Sequence, residues 1–133
     1  MTDPIADMLT RTRNAQAVKK PEVILPFSKF KYNLAKLLVT EGWLNDVQKI
    51  EKGKDKSYNE LLIRLKYKNN GKPVMISLKK VSKPGRKIYS SHDHLPYVLN
   101  NLGIAVISTS RGLITNKKAR KEKIGGEVIC EIY

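Results

Sequence analysis

The apolar residues change their spacing near the middle of the chain, and this change limits the folds open to it. Before Asn69 they recur at both helical and strand spacing, whereas beyond Pro73 they mostly alternate as in strands. Residues 69–73 are rich in turn formers and lack large apolar side chains. The chain has 133 residues, 41% of them hydrophobic, which is enough for a core. We therefore predict an α+β fold of two small packed domains, residues 1–68 and 69–133.

The first domain is predicted to have the order α-β-α-β-β. Asp3 and Ser28 are placed to cap two helices, and Pro4 suits a first helical position. The predicted strands are Val23–Leu25 and two runs, within 43–50 and 60–67, that form a hairpin across the polar turn at 51–56. The second helix is expected to bury a stripe of Phe30, Leu34, Leu37 and Leu38, which leaves Lys29 and Lys31 off that stripe.

The second domain is predicted to be mainly β, with short helices. Strands are expected over residues 74–79 and 104–109, and residues 113–114 are expected to pair back across Gly112. A final strand follows Gly125-Gly126, in which Val128, Cys130 and Ile132 share one face. Two short helices are expected, from Leu95 to Asn101 and from Thr115 to Lys121.

Charge indicates the kind of partner. The 26 Lys and Arg residues outnumber the 12 Asp and Glu residues, which gives a formal net charge of +14. Such an excess repels itself in a compact protein, so a polyanion is the expected partner. The cations are spread over both halves, but the second half carries 12 basic and only 4 acidic side chains. We therefore expect the main nucleic-acid contact in residues 69–133.

Cysteine content and hydropathy bear on location and cofactors. Cys130 is the only cysteine, so an intrachain disulfide and an all-cysteine metal site are excluded. Its alternation with apolar residues predicts a buried thiol rather than a nucleophile. The N-terminus lacks the order of a secretory signal, and no apolar run approaches the ~18 residues of a membrane span. We expect a cytosolic protein with no membrane contact, no metal and no cofactor.

A polar cluster follows the apolar run Ile104–Ile107. It consists of three hydroxyl residues, an arginine and a glycine: Ser108, Thr109, Ser110, Arg111 and Gly112. Such residues can form an ordinary hairpin turn through local hydrogen bonds. Consecutive hydroxyls at a strand end can also present donors and acceptors to base edges, 2′-hydroxyls and phosphates. The sequence leaves both interpretations open.

A second cluster pairs cations with an aromatic ring. Lys83, Arg86 and Lys87 flank Pro84-Gly85, and Tyr89 follows. The cations are expected to meet phosphates, while Tyr89 either stacks on a base or packs inward. Glu127 is a carboxylate in a basic region. It fits a surface charge, a clamp on a cation, or an acceptor for a base amino group.

Two other function classes compete with RNA binding. His92, Asp93 and His94 could begin the metal site of a nuclease, but no third ligand has matching spacing. Neither a nucleophile-elbow pattern nor a phosphate-loop pattern occurs, so we predict a protein that is not an enzyme. A basic scaffold that binds acidic proteins is the other alternative.

Several separate blocks resemble one known family, in the same order and from Asp3 to the C-terminus. The blocks are Asp3–Arg11, Pro84–Arg86, Ile88-Tyr89, Leu102–Gly112 and Gly125–Cys130. They are similar to the eighth small-subunit ribosomal protein family, bacterial type. The resemblance implies two small packed domains, the first α/β and the second mainly β. It also implies a structural constituent of the small ribosomal subunit, located in the cytoplasm.

The resemblance further implies a role, partners and contact residues. The role is primary binding of the central domain of small-subunit ribosomal RNA, at an irregular helix, in support of subunit assembly. Neighbouring small-subunit ribosomal proteins are implied partners, and we expect a monomer outside the ribosome. Some relatives also bind their own messenger RNA and repress its translation by mimicry of the rRNA site. The implied principal RNA contact is Ser108, Thr109, Ser110 and Gly112, with Tyr89, Glu127, Lys29 and Lys31 at further contact positions. Arg111 stands where a lysine is common.

Overall fold

The computed structural model of the protein describes residues 3–51 and 59–133. These residues divide into two compact units, Asp7–Val74 and Met75–Tyr133, and the residues before Asp7 group with the second unit. The polar turn predicted at 51–56 lies, apart from Glu51, outside the described residues. Within the described ranges no helix is both long and apolar enough to cross a membrane.

The first unit has the predicted element order. Its elements are α1 (Pro4–Ala17, which begins just before the unit), β1 (Glu22–Pro26), α2 (Lys29–Thr40), β2 (Asp46–Ile50) and β3 (Glu60–Arg64). The three strands form an antiparallel sheet in the order β1-β3-β2. Both predicted caps are present, because the Asp3 carboxylate accepts from the Ala6 N–H at 3.1 Å and the Ser28 hydroxyl accepts from the Lys31 N–H at 3.2 Å.

The buried face of α2 differs from the predicted stripe. Its buried residues are Lys31, Leu34, Ala35 and Leu38, which are spaced as one helical face. Phe30 is exposed instead. The prediction was right for Leu34 and Leu38 and wrong for Phe30, while Leu37 is half-buried. Lys31 lies on the buried face.

Residues 69–73 form a turn, as their composition predicts. The Gly71 N–H donates to the Lys68 carbonyl at 2.8 Å, and the Lys68 N–H donates to the Lys72 carbonyl, also at 2.8 Å. Gly71 has a φ of +84°, a conformation that glycine adopts without strain. The domain boundary between residues 68 and 69 stays a prediction.

The second unit is mainly β and contains one short helix. Its elements are β4 (Leu78–Lys80), β5 (Tyr89–Ser90), β6 (Ile104–Thr109), β7 (Gly112–Thr115), α3 (Asn116–Glu122) and β8 (Gly126–Ile132). The sheet is antiparallel in the order β4-β8-β6-β7, and β5 also pairs with β8. Its core cluster contains Leu95, Val98, Ala105, Ile107, Ile114, Ala119 and Val128. Strands β6 and β8 are therefore central.

The predictions for one helix and for one strand start in this unit were wrong. The helix expected from Leu95 to Asn101 is absent, because Leu99, Asn100 and Asn101 have φ values of +47°, +52° and +67°. A right-handed helix requires negative φ at every residue. The strand expected from residue 74 begins only at Leu78. The α+β class itself and the helix capped by Thr115 are confirmed.

Candidate nucleic-acid interface

One row of directly opposed residues crosses three strands and joins three predicted contact residues. Tyr89 of β5 lies opposite Glu127 of β8, and Glu127 lies opposite Ser108 of β6. Opposed residues of antiparallel strands project to one face with Cβ atoms about 4.5–5.5 Å apart. Tyr89 is 68% exposed, whereas Ser108 and Glu127 are half-buried. An aromatic ring, a carboxylate and a hydroxyl thus share one face at the edge of the core.

A register shift in β8 produces this alignment. Cys130 lies opposite Val106, but Val128 lies opposite Ile107, so Ile129 is an extra residue in β8. Consecutive residues of β6 point to opposite faces, so Val128 and Cys130 do so as well. The prediction that they share a face was therefore wrong, because a β-bulge breaks the alternation. In a regular ladder Val128, not Glu127, would lie opposite Ser108.

The hydroxyl cluster forms a hairpin turn that joins β6 to β7, with Thr109 opposite Gly112. The Thr109 hydroxyl donates to the Gly112 carbonyl at 2.9 Å and accepts from the Arg111 N–H at 3.1 Å. Gly112 has a φ of +99°, which a side chain would make unfavourable. Ser110 is exposed at the tip of the turn. Thr109 and Gly112 therefore shape the turn, and Ser110 is the hydroxyl that it presents to solvent.

Arg111 turns from the tip toward α3. Its guanidinium Nη1 lies 3.4 Å from a carboxylate oxygen of Glu122, and the Lys118 ammonium lies 3.8 Å from the other oxygen. The Arg111 side chain is largely exposed, so this pair contributes little to stability. The guanidinium thus remains accessible to an anion.

Two glycines let β8 pass between β5 and β6. A Cβ atom at Gly125 would lie 2.5 Å from the Ser90 carbonyl oxygen and 2.9 Å from the Ser91 Cα. A Cβ atom at Gly126 would collide with the Ser108 carbonyl. No function was predicted for these glycines, although adjacent glycines at a strand signal a close backbone approach. They hold the row of Tyr89, Glu127 and Ser108 together.

A buried serine fixes the basic turn. Lys83 and Arg86 exchange two backbone hydrogen bonds of 3.0 Å across Pro84-Gly85, and both residues are exposed, as is Lys87. The buried Ser82 hydroxyl accepts from the Ile88 N–H at 2.9 Å, which joins the two arms of the turn. Ser82 was not predicted to have this role, since a lone serine before a lysine carries no distinctive signal.

The basic turn borders an open groove of about 390 Å³ in the same unit. The groove is lined by Lys79, Lys80, Val81, Lys83, Arg86, Ile88 and Glu131. The Lys80 ammonium lies 3.4 Å from the Asp3 carboxylate and also donates to the Ser82 carbonyl. The other cations of the groove are Lys79, Lys83 and Arg86. Their charges would attract the phosphate backbone of a nucleic acid.

The two predicted lysines of α2 lie in the first unit and differ in exposure. Lys29 is exposed at the start of the helix, whereas Lys31 is only 7% exposed. Burial lowers the pKa of Lys31; the Asp7 carboxylate acts in the opposite direction, and Arg11 adds to the decrease. The burial of Lys31 argues against the phosphate contact predicted for it. Lys29 stays a predicted contact.

Comparison with known proteins identifies the family. The model of a family described as ribosomal protein S8 matches residues 3–133. The chain belongs to the ribosomal protein S8 family. Proteins named small ribosomal subunit protein uS8 are 51% identical in Clostridioides difficile (strain 630) and in Halothermothrix orenii, over all of this chain and 98% of each relative. The protein of that name from Persephonella marina is 47% identical over all of this chain and 99% of its own length. The resemblance inferred from the sequence is confirmed.

The histidines behind the nuclease alternative occupy an exposed turn. The Ser91 hydroxyl donates to the Asp93 carboxylate at 2.8 Å, and His94 Nδ1 lies 3.1 Å from the same carboxylate oxygen. The Ser91 hydrogen bond is the main reason why the pKa of Asp93 lies below its usual value. In the described ranges, no group of three or more His, Cys, Asp or Glu side chains is arranged to hold a metal ion. Asp93 and His94 thus make contacts within a local turn.

Proposed function

We propose that this small-subunit ribosomal protein is a primary binder of small-subunit ribosomal RNA and supports subunit assembly without catalysis. The RNA-binding face comprises Tyr89, Glu127, Ser108 and the turn from Thr109 to Gly112. Its target is an irregular helix in the central domain of the rRNA. The protein acts in the cytoplasm, within the ribosome, beside neighbouring small-subunit proteins. Outside the ribosome it is a monomer.

The observation that carries the proposal is the row of Tyr89, Glu127 and Ser108 beside the exposed tip of the turn. These residues are distant in the sequence and have different chemistry. The register shift at Ile129 and the close approach of Gly126 bring them to one face. A surface that needed only solubility would require neither device, whereas bulges commonly re-aim side chains at functional sites.

Each side chain has a distinct role in this proposal. The exposed ring of Tyr89 stacks on a base or a sugar. The Glu127 carboxylate accepts from a base amino group, and the Ser108 and Ser110 hydroxyls exchange hydrogen bonds with 2′-hydroxyls, phosphates or base edges. Regular double-stranded RNA hides its base edges in a deep, narrow major groove. An irregular helix exposes them, which fits a face of short polar side chains.

The cations position the RNA but do not select it. Lys83, Arg86 and Lys87 contact phosphates beside Tyr89, and Arg111 does so at the turn. Lys29 adds a contact from the first unit. A messenger RNA that folds like the rRNA site would occupy the same face, so translational repression by mimicry forms part of the proposal.

The test is a binding titration of the full-length protein with a small-subunit rRNA fragment and with a shape-scrambled control of equal length. At fixed physiological salt, we expect Thr109→Ala with Ser110→Ala to weaken specific binding by about 1–3 kcal/mol. Binding to the scrambled RNA should change little because phosphate contacts dominate it. Equal affinity for both RNAs would favour the basic scaffold instead. An unchanged affinity in the double variant would refute the site assignment.

A further inference from the structure

The second unit exposes apolar side chains near one end of β6, and the RNA-binding face lies at the other end of that strand. Ile76, Leu99 and Leu102 are 75%, 54% and 74% exposed, and we call this set the apolar end. Isolated exposed leucines are common in soluble proteins, but a group of them marks an interaction surface. Tyr89, in contrast, belongs to the RNA-binding face.

Backbone contacts place two members of the apolar end, Ile76 and Leu102, beside Tyr133. The Ile76 N–H donates to the Tyr133 carbonyl at 2.6 Å. Gly103, the neighbour of Leu102, approaches Tyr133 so closely that a Cβ atom at position 103 would lie 2.7 Å from the Tyr133 Cβ. Ile76 and Leu102 therefore flank the same main-chain segment.

The register separates the apolar end from the RNA-binding face. Ile104 lies opposite Ile132 at one end of β6, and Ser108 lies opposite Glu127 at the other. Four residue steps along β6 separate the two pairs, which corresponds to roughly 13 Å. A partner at the apolar end therefore leaves the RNA-binding face free.

The loop that carries Leu99 is held in a defined shape. Leu99, Asn100 and Asn101 all adopt left-handed conformations, which are unfavourable for leucine and are tolerated by asparagine. The Leu102 N–H donates to the Leu99 carbonyl at 3.0 Å, and the Gly103 N–H donates to the Val98 carbonyl at 3.1 Å. A surface that is fixed before binding loses less entropy when a partner arrives.

Cations from α3 contact this loop. The Lys117 ammonium donates to the Asn101 carbonyl at 2.8 Å, and the Arg120 guanidinium lies 4.0 Å from the centre of the Tyr97 ring. Lys121 is exposed on the same helix. The apolar end thus has a positively charged border, which a protein with carboxylates around an apolar centre would complement.

We propose that the apolar end docks a protein partner whose apolar side chains are flanked by Asp or Glu. Aliphatic side chains offer neither a hydrogen bond nor a stacking surface to RNA, whereas they gain free energy when another protein removes them from water. This inference rests on the proposed place beside neighbouring small-subunit proteins, and it adds which surface of the chain meets a protein and what chemistry that protein presents.

The first experiment is cross-linking in purified small subunits that contain full-length protein with Leu102→p-benzoylphenylalanine. The matched control carries the same photoreactive residue in place of Val18, an exposed apolar residue of the first unit. We expect position 102 to cross-link to a protein segment that contains apolar residues and at least two acidic residues, and the control to label a different segment. Cross-linking to RNA alone, to a segment without acidic residues, or to nothing would overturn the proposal.

The second experiment measures binding by substitution. The variant Ile76→Asp with Leu102→Asp should bind the purified, cross-linked partner at least tenfold more weakly and should bind the rRNA fragment within twofold of the unsubstituted protein. Val18→Asp should change neither affinity. Ile76→Ser with Leu102→Ser serves if the aspartates prevent folding, as judged by thermal unfolding. Partner binding within twofold of the unsubstituted protein, in a variant that folds, would overturn the inference.

Discussion

Thr109 and Ser110 are neighbours in the turn, but the structure gives their hydroxyls different tasks. The Thr109 hydroxyl makes two hydrogen bonds within the turn, to Gly112 and Arg111. The Ser110 hydroxyl is at the exposed tip. The single substitutions Thr109→Val and Ser110→Ala therefore separate the architecture of the turn from contact with RNA.

The structure sets the size of each effect. Thr109→Val removes two hydrogen bonds of roughly 0.5–1.5 kcal/mol each, and their solvent exposure favours the lower part of that range. We expect a decrease of about 1 kcal/mol in the free energy of unfolding, or roughly 3–5 °C in melting temperature. Ser110→Ala should leave unfolding within about 0.5 kcal/mol, as for other surface changes. It should raise the Kd for the rRNA fragment roughly 5- to 150-fold, which corresponds to about 1–3 kcal/mol.

Both variants are to be compared by urea unfolding and by RNA titration at one salt concentration. Ser90→Ala is the matched control, since Ser90 is a half-buried serine that lies opposite Gly126 beside the row rather than at the tip. If Ser110→Ala bound the fragment within twofold of the unsubstituted protein, Ser110 would not be an RNA contact. The different tasks of the two hydroxyls would be refuted if Ser110→Ala destabilised the fold more than Thr109→Val does.

Three further predictions concern the frame of the site. Gly126→Ala should lower the free energy of unfolding by about 1–3 kcal/mol in urea titrations, because its Cβ would collide with the Ser108 backbone; an unchanged midpoint would contradict the close approach. Lys29→Met should reduce the magnitude of the slope of log K for RNA binding against log salt by roughly 0.7–0.9. Lys31→Met should leave that slope unchanged and preserve or raise the melting temperature, since burial disfavours the Lys31 charge. Equal changes in slope for the two variants would contradict this distinction. Burial raises the pKa of Cys130 to about 12, so the native thiol should resist maleimide at pH 8 and react once urea unfolds the chain; rapid native labelling would contradict its burial.

Local sequence signals were sufficient where a short segment determines its own structure. Asp3 and Ser28 cap the helices that they were predicted to cap, because capping depends on hydrogen bonds between residues three positions apart. The hairpin turn at Thr109–Gly112 is equally local. The element order and the α+β class followed from such signals together with apolar periodicity.

Signals that depend on distant parts of the chain were not sufficient. Lys31 is buried because the phase of α2 is set by packing, although its charge and the bulk of Phe30 favour the opposite orientation. The run of left-handed residues that begins at Leu99 replaces an expected helix. Leu99 gives no warning of that conformation, whereas Asn100 and Asn101 belong to a residue type that tolerates it. The row through Glu127 depends on an extra residue in β8, which alternation of apolar residues cannot reveal.

Strand β6 has the proposed RNA-binding face at one end and the apolar end at the other. Its residues Ile104–Ile107 are buried, so only its ends can meet partners. The four residue steps from Ile104 to Ser108 span about 13 Å, which allows an RNA at the Ser108 end and a protein at the other end without overlap. The register shift lies between Val106 and Ile107, so it re-aims Glu127 while Ile104 still lies opposite Ile132. A substitution at either end should therefore affect one partner, whereas a change in the buried middle would disturb both.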